Sequence, residues 1–492
     1  RGNKGVGVTV NAGVTVGSID KSTFVEYQKK YGAGYGAYYE DPTGFFLYRD
    51  VDGDGTDDLV TPVSEDASWG APFDPNLMVY QWDAFDPASP NFGRARPWVA
   101  AKNGPSTFFE TPVATNYSFL VDGSSDKGYY KLGYTRNNEN GILPNSFVDK
   151  DFLNFSASYK LIPKLTATAS VNVSNVSGKG RYGTGYDDKN LMTNFRQWWQ
   201  TNVDIKEQRA AYMRNRQNVT WNWADPTDLV PIYWDNPYFT RFENYENDNR
   251  LRYFGYTMLD YKATEWLNFM GRVSLDSYNE FQEERQAVGS VTVPYYSRFN
   301  RSFREYNYDL MASIKKDLSD DLKMTANIGS NIRRTKVESI YAVTNGGLVV
   351  PGLYALSNSA NPINAPSEQF SPLGVDGYFA GASLNYRDLV NFDLSGRRDI
   401  SSSLPKGNNA YNYYAVGMNF NFIELMANSQ ILSGGKVRIN YAEVGNTANP
   451  NSTKDVYDKP APFGTTPLFS IPGTKCNPEL MPERSKEIEA GL

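Results

Sequence analysis

"KGVGVTVNAGVTVG" (residues 4–17) alternates without a break. Val6, Val8, Val10, Ala12, Val14 and Val16 take every second position, and Gly7, Thr9, Asn11, Gly13 and Thr15 lie between them. A period of two belongs to a strand with one apolar face, because a helix would scatter the same valines around its circumference. That face must meet either a protein core or lipid. The pattern recurs in "LNFSASYKL" (153–161) and "LTATASVNVS" (165–174), and only Ile162, Pro163 and Lys164 separate the two, as in a tight hairpin. Further strands are predicted at about 115–122, 128–137, 250–262, 267–279, 302–315, 322–333, 376–386, 389–399, 414–423, 436–446 and 482–492, about fourteen in all.

The links between these strands sort by length. Those at 123–127, 162–164, 263–266, 316–321 and 387–388 are short. Those at 18–114, 138–151, 175–249, 280–301, 334–375, 400–413 and 447–481 are long. Short and long alternate, apart from a middling link at 424–435. An antiparallel meander with tight turns on one side and long excursions on the other is the layout of an outer-membrane barrel. A soluble sandwich has no reason to sort its loops by side. The polar face agrees, being Thr, Ser, Asn and Gly rather than Lys and Glu, which suits a lumen wall. The valines are therefore expected to face membrane lipid. Within the long links, "STFVEYQKKYG" (22–32) and "DIKEQRAAYMRNR" (204–216) carry helix caps and are expected to be helices, the second with Asp204 as cap and Glu207 behind it.

Composition narrows the function. Mean hydropathy is −0.54 and no apolar run is long enough for a membrane helix, which leaves a membrane β-barrel open. Net charge is −6 with no long basic run, so nucleic acid is not an expected partner. With no histidine and one cysteine, Cys476, the 492 residues offer no Ser-His-Asp or Cys-His nucleophile, no internal disulfide and no Cys- or His-ligated metal. Carboxylate pairs such as Glu283 and Glu284 lack a companion nucleophile, and no catalytic residue is assigned.

Three groups stand out. In "DVDGDGTDD" (50–58), Asp50, Asp52, Asp54 and Asp58, with the Thr56 carbonyl, are expected to hold Ca2+, since hard oxygens at alternate positions can converge where Gly55 lets the chain turn. Position twelve is Thr61, so the loop is not an EF-hand. Trp198, Trp199, Trp221, Trp223 and Trp234 crowd one long link and are candidate contacts for substrate or partner, with packing of loop against loop as the alternative. In "RRD" (397–399), Arg397 and Asp399 share the lumen face with Asn391, Asp393 and Ser395, as a structural ion pair would. Trp266 sits in a short turn at a strand start, where an interfacial girdle belongs.

Several segments resemble the barrel of SusC/RagA-type TonB-linked outer-membrane transporters: "DASWGAPFD" (66–74), "DGSSDKGYYKLGYTRNNENGILPNS" (122–146), "NGGLVVPGLYALSNS" (345–359), "GRRDISSSLPKGNNAYNYY" (396–414), "GGKVRINYAEVGNTANP" (434–450) and "MPERSKEIEAGL" (481–492). The resemblance implies that residues 1–492 are part of a twenty-two-stranded Gram-negative outer-membrane barrel. It implies extracellular loops at about 18–114, 175–249, 334–375 and 447–481. It also implies a SusD-like lipoprotein lid, TonB acting through a plug that this stretch does not include, closing strands beyond Leu492, and an oligosaccharide or peptide as substrate. Where the family has Tyr-Pro-Ser, this chain has Tyr414 and Ala415. The alternative function is a barrel that recruits surface partners through its loops without transport.

Overall fold

The computed structural model describes residues 5–181, 183–426, 434–460 and 462–492. Fourteen strands form one antiparallel sheet, paired in chain order from first to last. They are β1 (Gly5–Val16), β2 (Val113–Ser125), β3 (Gly128–Asn140), β4 (Phe147–Ile162), β5 (Leu165–Lys179), β6 (Glu246–Lys262), β7 (Leu267–Gln286), β8 (Tyr295–Asp317), β9 (Leu322–Val343), β10 (Ser367–Tyr386), β11 (Val390–Ser401), β12 (Ala410–Phe420), β13 (Val437–Asn446) and β14 (Glu483–Gly491). Each strand predicted from alternation is present. No helix among the described residues is long and apolar enough to cross a membrane.

The register puts the valines where the alternation requires. Val8 lies opposite Val121, and Leu153 opposite Val173. These aliphatic positions are open, with Val6 71% and Val10 69% exposed, so no second sheet among the described residues covers them. Their polar neighbours bond across strands on the other face: Asn11 Nδ2 donates to Ser118 Oγ at 3.3 Å, and Asn154 Nδ2 to Asn172 Oδ1 at 2.6 Å.

The strands outrun their predicted ends on one side. β7, β8, β9 and β10 have 20, 23, 22 and 20 residues, roughly twice the 9–11 needed to cross hydrocarbon. The links at 280–301 and 334–375 accordingly shrink to 287–294 and 344–366, and the one at 138–151 to 141–146. Tight turns remain on the opposite side. One of them, 387–389, has two consecutive left-handed residues, Arg387 and Asp388 (φ 55° and 57°), in a turn closed by Leu389 N donating to the Tyr386 carbonyl at 2.9 Å. The middling link lies partly outside the described residues, at 427–433.

Two long loops, 17–112 and 180–245, fold into one body. Val63, Trp82 and Phe108 from the first share a core with Phe195, Ile205, Tyr212, Trp221 and Phe239 from the second. Helices α1 (Leu191–Gln197), α2 (Ile205–Asn215) and α3 (Pro237–Glu243) line it. Asp204 caps α2 as expected, accepting from Lys206 N at 2.9 Å. Glu207 instead reaches Arg96 at 3.0 Å. The helix expected at 22–32 does not form, and only a single turn, Lys21–Thr23, remains. There Tyr27 donates its hydroxyl to the Phe195 carbonyl, Phe24 packs on the shared core, and Gln28 bonds the Tyr31 and Ser68 carbonyls. Tertiary contacts outbid a weak local preference.

Candidate functional site

The candidate site is the sheet face opposite the aliphatic one. Toward the tight turns it is lined by small and singly charged groups, including Lys160, Lys164, Asp260, Asn327, Asp393 and Asn440, around a cavity of about 1040 Å3. Toward the long loops it becomes a ladder of ion pairs. Arg250 lies 2.8 Å from Glu280, Arg252 2.5 Å from Asp276, and Arg272 2.9 Å from Asp309. Cross-strand register creates these pairs, because Arg250 stands opposite Glu280 and Arg272 opposite Asp309. Sequence reasoning missed the ladder. Its signal was available, since every partner but Glu280 lies inside a predicted strand and each keeps the parity of the lumen face.

Arg397 and Asp399 lie on this face in β11, with Nε to Oδ1 at 2.8 Å. The Tyr413 hydroxyl donates to the other Asp399 oxygen at 2.7 Å. Both carboxylate oxygens are thus engaged and the side chain is buried. Asn391 donates to Asp393 at 2.6 Å two residues below. The cluster braces β11 against β12. Trp266 is half-exposed just before β7, with the Lys316 ammonium 5.5 Å from its ring centre.

The tryptophan expectation needs correction. Trp199, Trp221, Trp223 and Trp234 are all buried, and Trp198 is packed partly against the same core. Trp199 and Trp221 meet edge to face at 5.2 Å, and Trp223 donates its indole N–H to the Trp82 carbonyl at 3.0 Å. These rings are the interior of the loop body, because large apolar rings outside the fourteen-stranded sheet have chiefly each other to bury against. The exposed tryptophan of the loops is Trp69, at 64%.

In the acidic loop, Asp50, Asp52 and Asp58 bring one carboxylate oxygen each within 4.8 Å of the others. Asp50 accepts from Gly53 N (2.8 Å) and Gly55 N (3.0 Å), and both glycines have positive φ (80° and 86°), so the turn depends on them. Asp54 is not in the converging trio; its side chain accepts from Thr56 N at 2.8 Å. The five-ligand set read from sequence is thus reduced to three converging carboxylates. Burial, with the field of the loop carboxylates added to it, raises the pKa of the nearby Tyr80 hydroxyl.

One loop carboxylate is unusual. Asp235 is buried beneath the 287–294 link, where it accepts from Asn218 Nδ2 at 2.7 Å and Val291 N at 2.8 Å. Burial raises its pKa from 3.8 to about 6, and Asp188 adds to the rise.

No family model matches the chain, and no curated protein matches it. Solved structures do. The RagAB peptide transporter superposes with a TM-score of 0.62 at 16% identity, over 78% of this chain and 42% of that one. The RagAB peptide importer in its 'open-open' state gives the same values. In its 'closed-closed' state the TM-score is 0.60. The chain has the barrel-wall fold of these structures. At this identity the likeness is one of fold, and it agrees with the SusC/RagA resemblance of the sequence segments. The chain spans less than half the length of these structures. An outer-membrane β-barrel wall accounts for the bare aliphatic face, the polar opposite face and the sidedness of the loops together.

Proposed function

We propose that this chain is the wall of an importer that carries a peptide or an oligosaccharide inward across the outer membrane, energised by TonB and working with a SusD-like surface lipoprotein. The observation that carries the reading is the two-sided wall: a bare aliphatic face for lipid, and a polar, ion-paired face around an open path. Peptide is the preferred cargo, supported by the peptide importers and transporter whose fold the chain shares. The lipoprotein docks on the loop side. The test is uptake of a labelled random-peptide pool by cells carrying the complete protein. Accumulation is expected and should disappear when TonB is deleted; accumulation that survives the deletion overturns the reading.

The loop body supports a second reading, a platform that recruits surface partners without transport, because its shared core makes it rigid enough to present a fixed surface. Partner binding with no uptake in the same cells would favour it. For the acidic loop, Asp50, Asp52 and Asp58 are the side chains fitted to hold Ca2+, which would supply structural rigidity to the 40–65 segment. Chelation is expected to speed proteolytic cleavage there. Unchanged cleavage retires the metal.

A further inference from the structure

Six arginines lie on the lumen face of β6 to β11: Arg250, Arg252, Arg272, Arg301, Arg333 and Arg397. Four are neutralised by the carboxylates described above. Arg301 and Arg333 are not. Among the described residues neither guanidinium has an ion-pair partner within 4.0 Å, and the Nε of each is buried without an acceptor. Both are odd-numbered, opposite in parity to the bare Leu310 and Ile328 of the same strands, so both face the lumen.

Neighbouring carboxylates do not serve them. Glu280 stands directly opposite Arg301 but is held by Arg250. Arg333 pairs with Asn307, and the two carboxylates flanking that position are engaged elsewhere. Glu305 accepts from Asn307 Nδ2 at 3.0 Å and Thr335 Oγ1 at 2.8 Å, and Asp309 from Arg272 Nε at 2.9 Å and Asn331 Nδ2 at 2.6 Å. A guanidinium drawn from bulk water without a counter-charge is costly, and it is a strong receptor for a bidentate carboxylate.

Their placement suits a path. Arg301 is sixteen residues from the turn end of β8, beyond the stretch that crosses hydrocarbon, and Arg333 is eleven from the start of β9, near its outer boundary. Arg301 lies opposite Ser339, six residues along β9 from Arg333, so the two are about 20 Å apart down the wall. Between them the stacked rings of Tyr278 and Phe303, 5.1 Å apart, give an apolar step. Rings and rows of arginine are how pores favour anions.

We infer that Arg301 and Arg333 form a two-step receptor for carboxylate groups on the transported solute, so that the substrate is acidic. The inference rests on the import reading. It is tested on the complete protein in detergent, with two probe mixtures: a random hexapeptide pool, and oligogalacturonates mixed with neutral galactan oligomers of equal length. The wild type should retain carboxylate-rich members of one mixture about tenfold over neutral ones. The arm that shows this names the source of the carboxylate. The double variant Arg301→Gln/Arg333→Gln should lose the preference, while Arg301→Lys/Arg333→Lys keeps it. Heat-resistant migration on a gel reports that each barrel has folded. Retention without acidic preference overturns the inference and leaves import standing. A preference that survives the glutamine variant also overturns it, and assigns the arginines to contacts within the protein. Retention of nothing in either arm overturns both readings.

Discussion

Val171 and Asn172 are chain neighbours on opposite faces of β5, and their environments could hardly differ more. Val171 is half-exposed on the aliphatic side, whereas Asn172 accepts from Asn154 and donates to the Phe254 carbonyl at 3.3 Å. Near the bilayer midplane Val171→Arg is expected to cost about 2–4 kcal/mol, while Asn172→Arg is tolerated. Folding titrations into lipid vesicles measure both, and equal costs would remove lipid from the valine side. Asp235 makes a different prediction. Its pKa is higher in the fold than in the unfolded chain, so its contribution to stability is full below about pH 4 and is lost as pH rises through about 6. The loop body should therefore melt at a lower temperature at pH 7 than at pH 5 by a margin that Asp235→Asn abolishes. An identical pH profile in the variant would show that other groups set it. Parity made the first pair legible from sequence. Asp235 was illegible, because the link that buries it is fifty-odd residues away in the chain.

At the scale of elements, each strand was readable but its length was not. Glu280 and Arg301 each fall one residue outside a predicted strand (267–279 and 302–315), Arg333 is the last residue of another (322–333), and the strands run past all three. They continue because facing strands supply the opposite charge or a polar neighbour in register. The 204–216 helix was legible through Asp204, and the 22–32 segment failed because Phe24 and Tyr27 are claimed by a core built from both long loops. The tryptophans were misread for the same reason. An aromatic cluster in a long loop signals a platform and an interior equally well until the second loop that covers it is known. Trp221→Ala should destabilise the loop body by about 3–5 kcal/mol through the cavity it leaves. Protease sites in 17–112 and 180–245 should open together in that variant, with the barrel's heat-resistant gel migration unchanged. Cleavage confined to one loop would mean that the two do not share a core.

At the scale of the whole molecule, sidedness was the most legible property, since it needs only the lengths of the links. The path through the wall was not, because the lumen ladder exists only once strands from β6 to β11 stand side by side. The shared core of 17–112 and 180–245 also orders events in time. Four strands, β2 to β5, separate the two loops; the first keeps two small cores of its own, around Phe46 and Trp98 and around Val60 and Tyr80, but its Val63, Trp82 and Phe108 are buried in the core it shares with the second. The first loop must therefore wait, exported but unfinished, until the second has been delivered beside it. With the loops outside the cell, as the import reading has them, maturation becomes a late and separate step, and pulse-labelled cells exposed to external protease should show the 17–112 segment sensitive first and protected only after the barrel has acquired its heat resistance.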